Sequence, residues 1–222
     1  DTDKDARVLY VSGDLPFATA RELSDFVRRG QEADCDYAVG LVTADSLVGF
    51  RPVSAGEPGI EMAAFNLREG RFRQSNPPLA RPARIGNRHY IEDLYRHRHQ
   101  KELGQILALA WRLLRNERGG FAVVWYYALM HLAGFCDRRR WPRLAGRVRR
   151  RIPMARIERG CASLLRTRFR LVVTDLGGAA IDIDTEADYL AAQARFAEWR
   201  DAQEKRAGVL PAGSEPREPG SA

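Results

Sequence analysis

The chain has little of several things, and each shortage narrows its possible functions. Its three cysteines, Cys35, Cys136 and Cys161, are odd in number and lie far apart. None falls in a CxxC or Cys/His spacing, which argues against a zinc site and a disulfide scaffold and suits a reducing cytoplasm. The longest apolar run, residues 121–135, is interrupted by His131 and falls short of the roughly twenty residues that a membrane span needs. The opening residues DTDKDAR are acidic and lack the apolar core of a signal peptide. No internal repeat is visible.

The composition that remains is that of a globular protein. Hydrophobic residues make up 45% and charged residues 29% of 222, enough for one large domain with a core of its own. Lys and Arg exceed Asp and Glu by seven, and the excess is concentrated. Residues 138–170 hold thirteen arginines and a single acid, Glu158. Such a stretch either forms a solvated helical face or meets anionic partners: phosphorylated substrates, RNA or an anionic lipid surface.

Apolar periodicity divides the chain. Residues 7–12 and Tyr37–Thr43 read as buried strands on either side of a helix from Thr19 to about Gln31, with Thr19 and Glu22 forming a capping box. This alternation of strand and helix predicts an α/β sheet. Residues 62–67 and 71–74 flank Arg68-Glu69-Gly70 as a hairpin. The proline-rich residues 75–82 are expected to lie outside any central strand. Helices are expected at 90–98, 102–115, 121–135 and 157–166, then a strand at Phe169–Thr174 and a last helix from Asp184-Thr185 to about Arg206. The aromatics of the apolar run, Trp125, Tyr126 and Tyr127, are expected in the core with Trp141. Residues 207–222 read as a disordered tail.

Two segments carry chemistry. In Val11-Ser12-Gly13-Asp14-Leu15-Pro16 a carboxylate follows a buried strand, at the edge where open α/β sheets bind ligands. In Ile181-Asp182-Ile183-Asp184-Thr185 acids again sit between an extended piece and a helix. Two carboxylates from two such ends suit Mg²⁺, which takes oxygen ligands and shares them with substrate phosphates. The plain alternatives are a turn at Asp14 and a helix cap at Asp184-Thr185. His97 and His99, two apart on an expected helix, do not face each other, and with His89 they read as structural or solvent-facing.

These segments resemble MobA-like NTP transferases, the superfamily of molybdenum-cofactor guanylyltransferase and the sugar and alcohol-phosphate nucleotidyltransferases. The stretch from Tyr10 to Phe17, followed by a Thr-started helix, is similar to that family's metal-binding strand end. Ala180 to Tyr189 is similar to its closing D-x-D-T-x-x-D stretch, and Gly70 to Asn76 resembles the hairpin before the acceptor-side helices. The resemblance runs from about Arg7 to Trp199. It implies a Rossmann-like αβα sandwich with a mixed sheet, GT-A-like, over residues 1–206, carrying a helical Arg-rich insertion at about 87–168. It implies Mg²⁺-dependent transfer of a nucleotidyl group from an NTP to a phosphorylated acceptor, with pyrophosphate released. Asp14 matches the first metal carboxylate and Asp184 the second, with Asp182 as the alternative second ligand; Asp188 falls to the helix. Asn76, Arg81, Arg84, Arg98 and Lys101 lie where the family binds its acceptor.

The family's glycine-rich phosphate loop occurs nowhere in this sequence. The chain is therefore expected to be the C-terminal portion of such a domain, N-terminally incomplete and inactive alone. Two other readings compete: an anionic membrane- or RNA-binding module built on residues 138–170, and a degenerate, non-catalytic homologue. No specific nucleic-acid partner is expected.

Overall fold

The computed structural model describes residues 5–54, 56–92, 111, 113–115 and 119–209. The described elements are β1 (Val8–Leu9), α1 (Ala20–Glu32), β2 (Tyr37–Thr43), β3 (Phe65–Asn66), β4 (Arg71–Ala80), α2 (Gly120–Arg138), α3 (Pro142–Arg149), α4 (Met154–Leu165), β5 (Phe169–Thr174) and α5 (Glu186–Val209). The five strands form one mixed sheet in the order β1-β4-β2-β5, with β3 paired to β4. β5 runs parallel to β2, while β4 is antiparallel to β1, β2 and β3. The fold is α/β with a mixed sheet, as the strand and helix alternation predicts, and is consistent with the Rossmann-like architecture that the resemblance implies.

β2 lies inside the sheet, and Ala38 through Val42 are buried without interruption. Such a run has protein on both faces. Ala38 packs with Phe26 of α1 and Val172 of β5. The opposite face, carrying Val39 and Leu41, packs against groups that include Leu164 and Leu165 of α4 and Leu129 and Ala133 of α2. The Arg-rich helical region therefore forms a layer on the sheet. Thr19 caps α1 by accepting from the Glu22 N–H at 3.2 Å. The hairpin also forms where expected, with Leu67 N–H donating to Gly70 O at 2.9 Å.

Four expectations need correction. First, of the strand read as buried at residues 7–12, β1 is only Val8–Leu9 at the sheet edge, and Val8, Tyr10 and Val11 are exposed. Second, the proline-rich segment is central strand: β4 continues through Pro77 and Pro78 to Ala80, between β1 and β2. The pairing steps from Val39↔Pro78 to Leu41↔Gln74, so Ser75, Asn76 and Pro77 together oppose Gly40. A bulge of this kind takes residues out of the ladder, which is where a proline without an N–H is tolerated. Pro78 turns its carbonyl toward β1, where it accepts from Tyr10 N–H at 3.0 Å. Its nitrogen lies on the same side, at the point where β1 has already ended. Gly40 makes the bulge possible, because a Cβ there would stand 2.9 Å from that of Ser75.

Third, of the aromatics of α2 expected in the core only Tyr126 packs against it, beside the cluster of Leu41, Leu129 and Ala133. Phe121, Trp125 and Tyr127 are exposed, as is Trp141 beyond the helix, and Tyr126 is half-buried. The inward face of α2 is made of Gly120, Leu129, Ala133 and Cys136. Small residues there let the helix sit close to its neighbours, and the other bulky rings are left outside. Fourth, α5 continues past Arg206 to Val209 with Ala207 buried. The rest of the expected tail, residues 93–98 of the helix expected at 90–98, which include His97, residues 102–110 and 112 of the helix expected at 102–115, and His99 fall outside the described residues. His89 is exposed beside the Tyr90 ring.

Candidate functional site

β1 and β2 point their carboxyl ends to the same side of the sheet, because both are antiparallel to β4. Past the end of β1 the chain turns through Ser12 and Gly13 to Asp14. The segment after β5 reaches the same place through a tight turn at Gly177–Ala180. Gly178 is needed there: a Cβ on it would lie 1.9 Å from the Phe17 carbonyl oxygen. This contact lays residues 180–183 along the loop that carries Asp14. Ile183 N–H donates to Asp14 O at 3.3 Å.

A cavity of about 580 Å³ opens at this junction. Asp14, Asn76 and Asp182 all line it, from three separate parts of the chain. Asn76 arrives on the proline bulge of β4. Ser12, Arg88 and Glu92 add polar groups, and Tyr10, Val11, Pro78, Pro82, Ile85 and Ile91 are among the residues forming a largely apolar wall. A mostly apolar cleft with a few convergent polar groups is the usual form of a small-molecule site.

The electrostatics of the two carboxylates differ. Asp182 Oδ1 pairs with Arg73 of β4 at 2.7 Å, and the same guanidinium donates from Nε to Ala180 O at 2.8 Å. Asp14 is half-buried, and its Oδ1 is shut from solvent with no hydrogen-bond partner among the described residues. The Nδ2 of Asn76 is likewise buried and unpartnered. Buried polar atoms of this sort are uncommon, and a bound ion or ligand is one explanation for them. Among the described residues, no group of three or more His, Cys, Asp or Glu side chains could hold a metal ion. Any cation here would rely on two carboxylates plus oxygens of a substrate.

Asp184 is exposed and outside the cavity lining. Next to it Thr185 caps α5, accepting from Asp188 N–H at 3.1 Å while its hydroxyl donates to the Asp188 carboxylate at 2.6 Å. Asp188 thus serves the helix, as the sequence suggests. The two nearby arginines expected at the acceptor side are engaged elsewhere. Arg81 pairs with the buried Asp36 at 3.1 Å, and Arg84 makes a two-pronged contact with Asp5, both bonds 2.7 Å. Arg98 and Lys101 lie outside the described residues. Among the described residues, the arginine that does line the cavity is Arg88, which the sequence does not single out. The role of Arg73 had no sequence signal beyond its place in the hairpin.

A second buried acid supports the site from behind. Glu22, on α1, is 3% exposed, and its Oε2 accepts from Ala179 N–H at 3.0 Å. Burial raises its pKa to about 7, and the N–H groups of Ala179 and Thr19 offset only part of that rise. It anchors the turn that delivers Asp182.

No protein-family model matches this sequence, and no curated protein matches it. Among solved structures, a hypothetical transferase from Thermus thermophilus is similar, with 21% sequence identity and a TM-score of 0.52. The alignment covers 83% of this chain and 63% of that one, so the chain spans less than two thirds of that protein's length. At this identity the likeness bears on the fold alone.

Proposed function

We propose that this chain forms the metal and acceptor side of a nucleotidyltransferase with a GT-A-like fold. It would transfer a nucleotidyl group from an NTP to a phosphorylated acceptor. The observation that carries this reading is the meeting of Asp14 and Asp182 in one cavity at the carboxyl side of the sheet, with Asp14 Oδ1 buried and unpartnered. The transferase name of the Thermus thermophilus protein points the same way.

In this reading Asp14 and Asp182 hold Mg²⁺, with Asp182 taking the second place in preference to Asp184. The ion, when bound, neutralises charge on the phosphates during in-line displacement. Arg73 fixes the orientation of the Asp182 carboxylate by holding Oδ1. Arg88 offers a planar fork to an acceptor phosphate, and Asn76 Nδ2 donates to one of its oxygens. The acceptor oxygen attacks the α-phosphorus, the bond to the bridging oxygen breaks, and pyrophosphate leaves with the electron pair. The apolar wall receives the non-phosphorylated body of the acceptor.

Metal binding tests the reading without requiring turnover. Mn²⁺, used in place of Mg²⁺ and followed by electron paramagnetic resonance, should bind the wild-type chain. Asp14→Asn and Asp182→Asn should each weaken binding at least about tenfold, since even a supporting contact to a metal ligand is worth that much. Asp184→Asn should leave it unchanged. Equal Mn²⁺ affinity in all four proteins would overturn the assignment.

A further inference from the structure

The exposed face of α2 goes unused by the site. Phe121, Trp125, Ala128, Leu132 and Phe135 recur at spacings of three and four, and all five are exposed. They form one stripe, about 21 Å long at the helical rise of 1.5 Å per residue. Phe121 stacks on Trp125 with ring centroids 6.3 Å apart, and Trp141 meets the edge of Phe135 at 6.2 Å, so the rings make a continuous surface. Arginine surrounds its far end. Arg139 lies over the Phe135 ring at 5.3 Å, and Arg138, Arg140, Arg143, Arg147 and Arg150 are exposed on the turn and on α3. Asp137, next to Arg138 in the chain, is already paired with Arg149.

We propose that α2, the turn after it and the start of α3 dock this protein on an anionic bilayer, lying in the interface without crossing it. An interfacial helix needs an apolar stripe at the depth of the acyl chains and cations at the level of the headgroups, and this surface supplies both. Tryptophan and arginine, polar-tipped side chains with large apolar bodies, suit that boundary. Charge decides between occupants. A second copy packed symmetrically on the same patch would set these arginines against their own counterparts. RNA would use the arginines and rings but leave Leu132 and Ala128 without a role. Phosphatidylglycerol headgroups meet the arginines while the acyl region takes the stripe. No described helix is long and apolar enough to cross a membrane. This inference stands apart from the proposed chemistry and does not depend on it.

The experiment is co-sedimentation of the full chain with phosphatidylcholine vesicles, with and without phosphatidylglycerol. Light scattering and an RNA oligonucleotide shift assay run in parallel. The expected result is binding only when phosphatidylglycerol is present, weakening as salt rises, with Trp125 and Trp141 fluorescence quenched by brominated acyl chains. Arg143→Glu should weaken binding more than about fivefold, the scale of one basic residue near an anionic surface. The double change Trp125→Ser and Leu132→Ser should abolish quenching while leaving the circular dichroism and melting temperature unchanged, because both side chains are exposed. Equal affinity for neutral and anionic vesicles, or no vesicle binding at low salt, overturns the proposal. So does vesicle binding that survives the double change, or a dimer or an RNA complex formed through this face in place of vesicle binding.

Discussion

Ile183 N–H donates to the Asp14 carbonyl, a 3.3 Å bond between the first loop of the chain and the segment leading into its last helix. That bond sets the spacing of the site, because Asp14 and Asp182 flank it on the two strands of chain that it joins. The two carboxylates have unequal structural roles. Asp182 is neutralised by Arg73, whereas Asp14 keeps a buried oxygen without a partner. Asparagine substitutions should separate them in urea denaturation. Asp182→Asn removes a largely buried ion pair and strands the Arg73 guanidinium, costing about 1–3 kcal/mol. Asp14→Asn removes no ion pair and should leave stability within about 0.5 kcal/mol of wild type or raise it slightly. A larger loss for Asp14→Asn than for Asp182→Asn would contradict this assignment.

The turn that makes the bond possible tolerates only glycine at position 178. A methyl group there would sit 1.9 Å from the Phe17 carbonyl oxygen, a backbone atom that cannot rotate away. Gly178→Ala should therefore push the turn off α1, cost about 2 kcal/mol or more, and separate Asp182 from Asp14. Thermal melting reads the first effect, and loss of Mn²⁺ binding reads the second. Gly146→Ala, on α3 where a Cβ would meet nothing within 4 Å, is the matched control and should be neutral.

Much of this arrangement could be read from the sequence, and what escaped has physical reasons. Strands β2 and β5 and helix α1 announce themselves because unbroken apolar runs and a Thr19 cap are local signals. The strand character of Pro77 and Pro78 was hidden, since proline is excluded from ladders only where its N–H is required. A bulge opposite Gly40 and the end of β1 remove that requirement. The outward aromatics of α2 were misplaced because hydrophobicity does not say which side of a helix its neighbours occupy. Asp14 and Asn76 are legible as candidates, but that Asp182 and not Asp184 lines the cavity depends on where a turn ends. The diversion of Arg81 and Arg84 to Asp36 and Asp5 lies in long-range pairing that no spacing reveals.

Glu22 gives the fold a pH dependence of unusual sign for a carboxylate. Its folded pKa is raised from 4.5 to about 7 by burial. The folded protein therefore binds more protons than the unfolded chain between these values, and stability falls as pH rises through that window. Glu22→Gln keeps an acceptor for the Ala179 N–H without the charge. It should flatten this part of the profile and stabilise the protein above pH 7 by something on the order of 2 kcal/mol. Chemical denaturation of both proteins across the pH range tests this; parallel curves would show that Glu22 does not titrate in the fold.

Asp36 works in the opposite direction. The Arg168 fork holds both of its oxygens, at 2.7 and 2.9 Å, and outweighs the effect of burial; Arg81 adds a third bond. Its pKa falls from 3.8 to about 2. The stabilisation is complete above the unfolded value and is lost as pH drops through the folded one. Because Arg168 is about half exposed, solvent screens the pair, and about 1 kcal/mol is a reasonable scale. Asp36→Asn should lower stability at neutral pH by that amount and converge with wild type near pH 2.

Trp199 lies in the core cluster beside the site, with Phe17, Ala180 and Ile181, and offers the largest single effect. It is 2% exposed, meets Phe17 at 5.4 Å and Phe50 at 5.2 Å, and lies under the Arg195 guanidinium at 5.0 Å. Phe17 is the residue whose carbonyl crowds Gly178, so this cluster ties α5 to the loop that bears Asp14. Trp199→Ala should cost about 3–5 kcal/mol by leaving a large cavity. Trp199→Phe should recover more than half of that, since a smaller ring can still pack against both phenylalanines. If the alanine variant melted within a degree or two of wild type, α5 would not be docked on Phe17 and Phe50, and the support drawn here for Asp14 would fail with it.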